Sequence, residues 1–248
     1  MPEVSFEMRV FDRLSADIVT GARLVLSDLD GCLVSQGRAY ADALDFAAAC
    51  DDRLWIVSNN STHSAQSLSD ELAALGLTIS AQRILLAGEQ TLRHLQKTYP
   101  GVGLALFAGD CLQAQARAFG LRTDSEVPEV ALLCRDSGFT IVDLERLASF
   151  LRQGARLWVS NIDCAHPSMD GLPVPETGAL LAALNAVLGD VAFDTIGKPH
   201  THMARLALDS ARIAPHDAIF IGDNLATDGT IARNAGIPFA HIVRGPAR

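Results

Sequence analysis

The alternation of short apolar runs with helix-like segments most constrains the fold of this 248-residue chain. Runs rich in Val, Ile and Leu are typical of strands that are buried on both faces. The predicted strands are 24–27, 54–58, 104–107, 130–134, 157–160, 219–222 and 240–243. Between them, helical patterns cover 41–50, 64–75, 89–98, 143–152, 178–188 and 201–210. This alternation predicts an α/β fold with helices on both faces of parallel sheets.

Composition narrows the class of protein. Hydrophobic residues make up 49% and charged residues 20%, which excludes a disordered chain. Acidic residues outnumber basic ones by 29 to 20, and the net charge of -9 argues against nucleic acid as a partner. Five dispersed cysteines without a C-x-x-C pair indicate a reducing compartment. With no signal peptide and no apolar stretch of about 18 residues, we expect a cytoplasmic protein without a membrane partner.

Polar side chains follow the predicted strands where each strand ends. In open parallel sheets, ligands bind beyond these carboxyl ends. The segments are DLDGC after the first strand, SNNST after the second, GKP in a late loop and GDNLATD after a late strand. The candidate site residues are Asp28, Asp30, Ser58, Asn59, Asn60, Lys198, Asp223, Asn224 and Asp228.

This set of side chains suits a phosphoryl group. Converging carboxylates repel one another unless cations lie between them. Carboxylate oxygens are ligands for Mg²⁺, which commonly shares its coordination shell with a substrate phosphate. Lys198 supplies a second positive charge and is one of only two lysines among 20 basic residues. An aspartate beside such a group is a suitable nucleophile.

The four segments resemble, in order, the four motifs of the haloacid dehalogenase superfamily of phosphatases. The resemblance implies that Asp28 is the nucleophile and that Asp30 acts as general acid and then as base. It also implies that Mg²⁺ is held by Asp28, the backbone carbonyl of Asp30 and Asp223.

The same resemblance assigns the remaining motif residues. Ser58 and the neighbouring amides of Asn59 and Asn60 would bind phosphoryl oxygens, and Lys198 would neutralise the charge on nucleophile and phosphate. The last motif would add Asp228, with Asn224 beside it, as support for the metal shell or for the lysine.

The spacing of the motifs predicts two domains. Asp28 and Ser58 are 30 residues apart and Lys198 and Asp223 are 25 apart, about one strand–helix unit each. From Ser58 to Lys198 the distance is 140 residues, which leaves room for an inserted domain. We expect a Rossmann-like doubly wound core at 1–82 and 195–248, and an inserted α/β cap at 83–194. Ser160, in a similar strand end, would place the insertion elsewhere and lacks the NNST sequence.

An insertion at this place resembles the subgroup of NagD-type sugar phosphatases, p-nitrophenylphosphatases, phosphoglycolate phosphatase and pyridoxal-phosphate phosphatase. The resemblance implies a small phosphorylated metabolite as substrate, and homodimers that form through the cap. Cys32, Ile162 and Gly229 depart from the usual pattern, which bears on the substrate because no charged catalytic group is changed. His166, in the cap loop 161–171, is either a surface residue or a residue that selects the substrate.

Two other functions use similar residues. A phosphoacceptor signalling domain would be phosphorylated once without turnover, and a phosphotransferase would pass the phosphoryl group to an alcohol. The histidine pair of His200 and His202 beside Lys198 lacks a third metal ligand at a recognisable spacing, so we expect helix-start residues there. Cys32 is expected to fill space rather than to act as a redox-active thiol.

Overall fold

The computed structural model describes residues 6–167 and 172–244. Its strands are β1 Met8–Phe11, β2 Leu24–Ser27, β3 Val34–Ser35, β4 Arg38–Ala39, β5 Leu54–Ser58, β6 Ile84–Leu86, β7 Leu104–Phe107, β8 Val130–Leu133, β9 Arg156–Val159, β10 Ala165–Pro167, β11 Pro173–Pro175, β12 Phe193–Asp194, β13 Ala218–Gly222 and β14 Phe239–Ile242. Its α-helices are α1 Ala41–Cys50, α2 Ala65–Ala74, α3 Ala87–Thr98, α4 Asp110–Ala118, α5 Ile141–Arg152, α6 Thr177–Leu188, α7 His202–Ala211 and α8 Thr230–Ala235.

The core sheet has six parallel strands in the order β1-β14-β13-β2-β5-β6. The chain adds β5 and β6 on one side of β2 and later adds β13 and β14 on the other side. Strand order therefore reverses between β2 and β13, and ligand crevices open at such reversals in doubly wound sheets. The predicted doubly wound core is confirmed.

Two apolar clusters cover the core sheet because successive residues of a strand point to opposite faces. On one face, Val25 and Ile56 belong to the cluster that contains Phe46 of α1 and Leu68 of α2. On the other face, neighbouring strand residues pack with α7 and α8. Burial on both faces explains why these strands are continuous apolar runs rather than alternating ones.

A second parallel sheet forms the inserted cap, in the order β12-β9-β8-β7. Helices α3 and α4 pack on one of its faces, and α5 and α6 pack on the other. An antiparallel pair, β10 with β11, follows the third strand of this sheet. The predicted α/β cap is therefore confirmed as a separate sheet.

The first crossing between the two sheets comes later than residue 83, where we expected the cap to begin. Strand β6 pairs with β5 in the core sheet, so 84–86 belong to the core. The short ILL run is followed directly by a helix, without a loop that would mark it as a strand. Leu92 and Leu95 of that helix, α3, pack in the cap. We propose a division at 87 rather than 83.

Both crossings touch the loop that follows β5. A Cβ atom on Gly88 would lie 2.8 Å from the Cα of Ser61, and one on Gly197 would lie 3.0 Å from Oδ1 of Asn59. Larger residues at these two positions would push the crossing segments away from the loop. The 59–61 loop is thus the seam between core and cap.

Capping residues explain two of the differences at helix starts. Thr140 is the N-cap of α5, and its hydroxyl accepts a hydrogen bond from the Asp143 N–H, so the helix begins at Ile141 rather than at 143. Ser64 caps α2 in the same way and is not its first residue. The longest helices in the described ranges have 12 residues, and none there is long and apolar enough to cross a membrane.

Candidate active site

The four motifs meet at the carboxyl edge of the core sheet, beside the reversal of strand order. Asp28 directly follows β2, Ser58 ends β5, and Asp223 directly follows β13. Lys198 reaches the same place from the second crossing between cap and core. The structure thus brings together residues that are up to 195 positions apart in the chain.

Lys198 lies at the centre of this group and is only 3% exposed. Its Nζ donates hydrogen bonds to Oδ1 of Asp28 at 2.6 Å and to Oδ1 of Asp228 at 2.7 Å. Burial alone would lower the pKa of Lys198, but the charges of Asp228 and Asp28 raise the pKa above its usual value. The lysine is therefore a fixed positive charge against the Asp28 carboxylate.

Three carboxylates converge beside this lysine. Asp28, Asp223 and Asp228 each offer an oxygen within 4.8 Å of the others, the one such acidic group among the described residues. Burial, followed by the charge of Asp28, raises the pKa of Asp223 to about 7 and that of Asp228 to about 8. One ammonium does not compensate three carboxylates, and their hard oxygens suit a divalent metal ion. The donor set therefore fits the predicted metal.

Gly31 leaves room for one of these acids. It has a φ of 79°, a conformation that glycine adopts without strain. A Cβ atom at this position would also collide with the side chain of Asp223. The glycine of DLDGC thus turns the chain away and lets the acid of the last motif approach the first motif.

Asp30 faces the cavity rather than the carboxylate cluster. Asp30 is exposed at the cleft, but the surrounding protein partly desolvates its carboxyl group and raises its pKa to about 6; the charge of Asp28 contributes in the same direction. Its side chain is outside the group of three converging carboxylates. A metal contact through Asp30 therefore involves its backbone carbonyl, as the resemblance implies, and stays a prediction.

The Ser58–Asn60 loop lies opposite the acids. The Ser58 hydroxyl is buried and accepts a hydrogen bond from the Asn60 N–H at 3.1 Å. The Asn60 side chain is turned into its own loop, because its Oδ1 accepts from the N–H groups of Thr62 and His63 at 3.0 Å each. The Asn59 side chain is held against Lys198, because the backbone N–H of Lys198 donates to Oδ1 of Asn59 at 2.7 Å.

Asn224 and Asp228 form one unit. The Asn224 side chain caps the π-helix Leu225–Gly229 by accepting from the N–H of Ala226 at 2.9 Å. Its own N–H donates to Oδ2 of Asp228 at 3.2 Å, while the other oxygen of Asp228 binds Lys198. Asp228 therefore lies against Lys198 with Asn224 beside it, and their supporting role stays a prediction.

The cap closes the site with a second ionic group. Oε1 of Glu176 lies 2.7 Å from Nδ1 of His166 and 3.3 Å from Nε of Arg135. Together with core residues, these side chains line a cavity of about 370 Å³ that contains Asp28 and Asp30. His166 therefore faces the site, whereas 168–171 of its predicted loop lie outside the described residues.

Known proteins are similar to this chain over most of its length. A family model described as Haloacid dehalogenase-like hydrolase matches residues 25–122, and a HAD-hydrolase-like model matches residues 195–247. Mouse chronophin is 30% identical over 236 residues, which cover 89% of this chain and 80% of that protein. The chain belongs to the haloacid dehalogenase superfamily. Within this superfamily it falls in the subgroup of NagD, p-nitrophenylphosphatases and chronophin.

Other relatives of this haloacid dehalogenase (HAD) phosphatase also match most of the chain. Dihydroxyacetone phosphatase of Corynebacterium glutamicum is 29% identical over 86% of this chain and 78% of that protein. The crystal structure of 4-nitrophenylphosphatase from Thermotoga maritima has a TM-score of 0.83 at 24% identity, covering 93% of this chain and 89% of that one. The protein is a HAD-type phosphatase that acts on small phosphorylated metabolites.

Of the cap residues that line this HAD site, only His166 was predicted from the sequence. Arg135 lies just beyond β8 and Asp163 just beyond β9, so the rule for strand ends that found Asp28 would have found them too. Glu176 is the residue before α6. Ser160, the alternative to Ser58, directly follows the cap strand β9, and its hydroxyl lies 3.5 Å from that of Thr177.

Two further candidates stay outside the HAD chemistry. His200 and His202 belong to no group of three metal ligands in the described part of the chain. Cys32 is fully buried, and burial raises the pKa of its thiol. A buried neutral thiol is inert, which fits the predicted space-filling role.

Proposed function

We propose that the protein is a Mg²⁺-dependent phosphatase that works through an aspartyl-phosphate on Asp28. The observation that carries this proposal is the buried hydrogen bond of 2.6 Å between Nζ of Lys198 and Oδ1 of Asp28. A fixed ammonium beside the nucleophile offsets the charge of an approaching phosphate. Attack on phosphorus would form the bond between Asp28 and phosphorus as the bond to the leaving alcohol breaks.

Asp30 is proposed as the general acid and base. A pKa of about 6 means that this carboxyl group exchanges its proton near neutral pH. It would protonate the leaving alcohol in the first step. The resulting carboxylate would take a proton from the water that cleaves the aspartyl-phosphate, which returns Asp28 and Asp30 to their starting states.

Asp28, the Asp30 carbonyl and Asp223 would hold the metal ion, and Asp228 with Asn224 would support them. Bound Mg²⁺ would supply charge neutralisation for the phosphoryl oxygens. The Ser58 hydroxyl and the backbone N–H of Asn59 would bind these oxygens on the opposite side. We assign Asn60 a smaller part, because its N–H already donates to the Ser58 hydroxyl and its side chain is turned into the loop.

The cavity favours small hydroxylated substrates. Among the described residues that line it, the cap contributes Arg135, Asp163, Ala165, His166 and Glu176, and no Phe, Tyr or Trp side chain is present. Such walls offer hydrogen bonds to hydroxyl groups and, apart from histidine rings, no surface on which a large ring would stack. A sugar or polyol phosphate is therefore our proposed substrate, and dihydroxyacetone phosphate, the substrate named for the Corynebacterium relative, is the first to assay.

A panel of phosphoesters tests this function. Purified protein would be assayed with sugar phosphates, dihydroxyacetone phosphate, phosphoglycolate, pyridoxal phosphate and a nucleotide, in Mg²⁺ and again in chelator. We expect many turnovers per enzyme in Mg²⁺ only. An amount of product equal to the amount of enzyme would instead indicate a phosphoacceptor domain. Release of the substrate's alcohol that requires added glycerol would indicate a phosphotransferase.

Association through the cap is the last part of the proposal. Ile141 and Val142, at the start of α5, are 80% and 63% exposed, which leaves an apolar pair on the outer surface of the cap. Sedimentation of the protein and of an Ile141→Asp variant would test whether two copies associate there.

A further inference from the structure

Asn59 connects three parts of the molecule. Its Oδ1 accepts a hydrogen bond from the Lys198 N–H at 2.7 Å, and its Nδ2 donates to the Lys198 carbonyl at 3.1 Å. The same Nδ2 donates to Oδ2 of Asp163, in the cap, at 2.8 Å. One amide thus binds the backbone of the lysine on both sides while it contacts the cap.

The orientation of this amide depends on Asp163. An ionised carboxylate accepts hydrogen bonds and donates none, so it attracts the NH₂ group of Asn59 and repels its oxygen. With Nδ2 turned to the cap, the oxygen faces the Lys198 N–H. The reversed amide would place its oxygen against the carboxylate and its NH₂ group against an N–H donor, leaving both contacts unpaired.

The cap fold fixes Asp163 in turn. Its backbone carbonyl accepts from the Gly178 N–H at 2.8 Å, at the start of α6. Two residues earlier, the side-chain amide of Asn161 donates to the backbone carbonyl of Asn59. Asp163 is therefore held from two directions against the loop that carries Ser58.

We propose that Asp163 of the cap is a positioning residue that acts through Asn59 to hold Lys198 against Asp28. The inference rests on the proposed function for its kinetic consequences, but the structural link does not. It assigns the cap a part in the chemical step, in addition to the choice of substrate.

The kinetic test uses p-nitrophenyl phosphate, which is too small to require selection by the cap. Asp163→Ala should lower kcat about 10- to 100-fold, the scale of a misplaced catalytic group. Asp163→Asn keeps an oxygen that accepts from Asn59 and should stay within a few-fold of the wild type. Cys164→Ala is the matched control, because the neighbouring side chain is exposed and should leave kcat unchanged. Equal kcat for Asp163→Ala and wild type overturns the proposal.

A double-mutant cycle separates this role from general damage to the cap. If Asp163 acts through Asn59, the double variant Asn59→Ala/Asp163→Ala should be no slower than Asn59→Ala alone. Losses that multiply would show independent roles and overturn the proposal. Thermal midpoints of all variants identify any loss that is due to unfolding.

Hydrogen exchange tests the link without activity. In the wild type, the Lys198 amide hydrogen is bonded to Asn59, so Asp163→Ala should speed its exchange at least several-fold, whereas Asp163→Asn should not. The Phe220 amide, bonded to the carbonyl of Pro238 in the core, serves as the internal control. Unchanged exchange at Lys198 overturns the inference even in an active enzyme. Faster exchange in a protein without phosphatase activity would support the link and reject the proposed function.

Discussion

The core and the cap bring two ionic groups to the same cavity, and the two are built differently. In the core, Lys198 and Asp228 are 3% and 0% exposed and bind at 2.7 Å. In the cap, Arg135 and His166 share Glu176, and their side chains are 31% and 33% exposed. Removing one partner of a buried pair leaves an unpaired charge, which costs several kcal/mol, whereas a partly exposed pair contributes about 1 kcal/mol or less.

This difference separates two tasks. A buried network keeps fixed positions and suits the chemical step, which is the same for each phosphoester. Pairs that water reaches can be replaced at little cost in stability, and they suit contacts that differ between substrates. We therefore expect changes in the core group to reduce kcat and changes in the cap group to alter KM. The contact between Asp163 and Asn59 is where the two tasks meet.

Asp28→Asn should have the largest effect. An amide does not form the acyl phosphate, so we expect no turnover with any phosphoester. Phosphate release over many hours by a preparation free of host phosphatases is the measurement. Steady turnover by this variant would show that Asp28 is not the nucleophile. It would also contradict the assignment of the chemical step to the core group.

Asp30→Ala should lower kcat by about 10²–10⁴ for alkyl phosphates, the scale of general acid catalysis. The loss should be smaller for p-nitrophenyl phosphate, whose leaving group needs little help from a proton. Comparison of kcat for the two substrate types checks this. Equal losses would contradict the general-acid assignment.

Lys198→Arg should lower kcat by about 10²-fold although the charge is kept. The planar guanidinium does not fit between Asp28 and Asp228, where a compact ammonium makes two short hydrogen bonds. Single-turnover rates with p-nitrophenyl phosphate would measure the loss. A nearly fully active variant would show that the scarcity of lysine in this chain carries no meaning.

His166→Ala should raise KM for natural phosphoesters by about 3- to 10-fold and leave kcat nearly unchanged. An interaction made equally in ground state and transition state changes KM alone. The same variant should hydrolyse p-nitrophenyl phosphate almost normally, which kinetics on both substrates would check. A collapse of kcat on every substrate would place His166 in the chemical step.

The smallest predicted effect is the change of folding stability with pH. Folding raises the pKa of Asp223 to about 7 and that of Asp228 to about 8, so the folded state binds more protons than the unfolded state below pH 8. Stability without metal should therefore fall as pH rises from about 4 to 8. The pKa of Lys198 is raised above its already high usual value, so it adds no slope in this range.

Metal ions should reverse this loss. Mg²⁺ binds the ionised carboxylates, so it should raise the thermal midpoint by a few degrees at pH 8 and by less at pH 6. Thermal melts at both pH values, with Mg²⁺ and with chelator, would measure the difference. Equal shifts would show that the carboxylate cluster is not where the ion binds. Asp223→Asn, which removes one of these carboxylates, is the matched control.

Much of the core side could be predicted because its signals are local. The buried runs 24–27 and 54–58 became β2 and β5 with the same bounds, since strands covered on both faces have no polar interruption. Strand β1 could not be found in this way. It is a four-residue edge strand, MRVF, in which Arg9 interrupts the apolar residues, and three of its four residues are exposed. Its pairing with β14 depends on a partner more than 200 residues away.

The cap side was less accessible for a different reason. His166 could be named because its loop resembles that of similar phosphatases, but its partner Glu176 is set by the pairing of β10 with β11, which no periodicity indicates. Likewise, nothing in the sequence around Asn59 indicates that its side chain binds the backbone of Lys198 rather than a phosphate. Contacts that cross from cap to core depend on how two sheets meet, and a sequence pattern describes each sheet separately.

The seam at 59–61 also bears on how such enzymes diversify. The chain leaves the core where Gly88 lies close to Ser61, and it returns to the core where Gly197 lies close to Asn59. Everything between these two glycines is therefore a cassette that recombination could exchange without disturbing the order of the core strands. A transplanted cap would need little more than small residues at the two joints and a hydrogen-bond acceptor in the place of Asp163. New substrates would then be acquired by exchange of whole caps, while the buried lysine and its acids pass unchanged from one enzyme to the next.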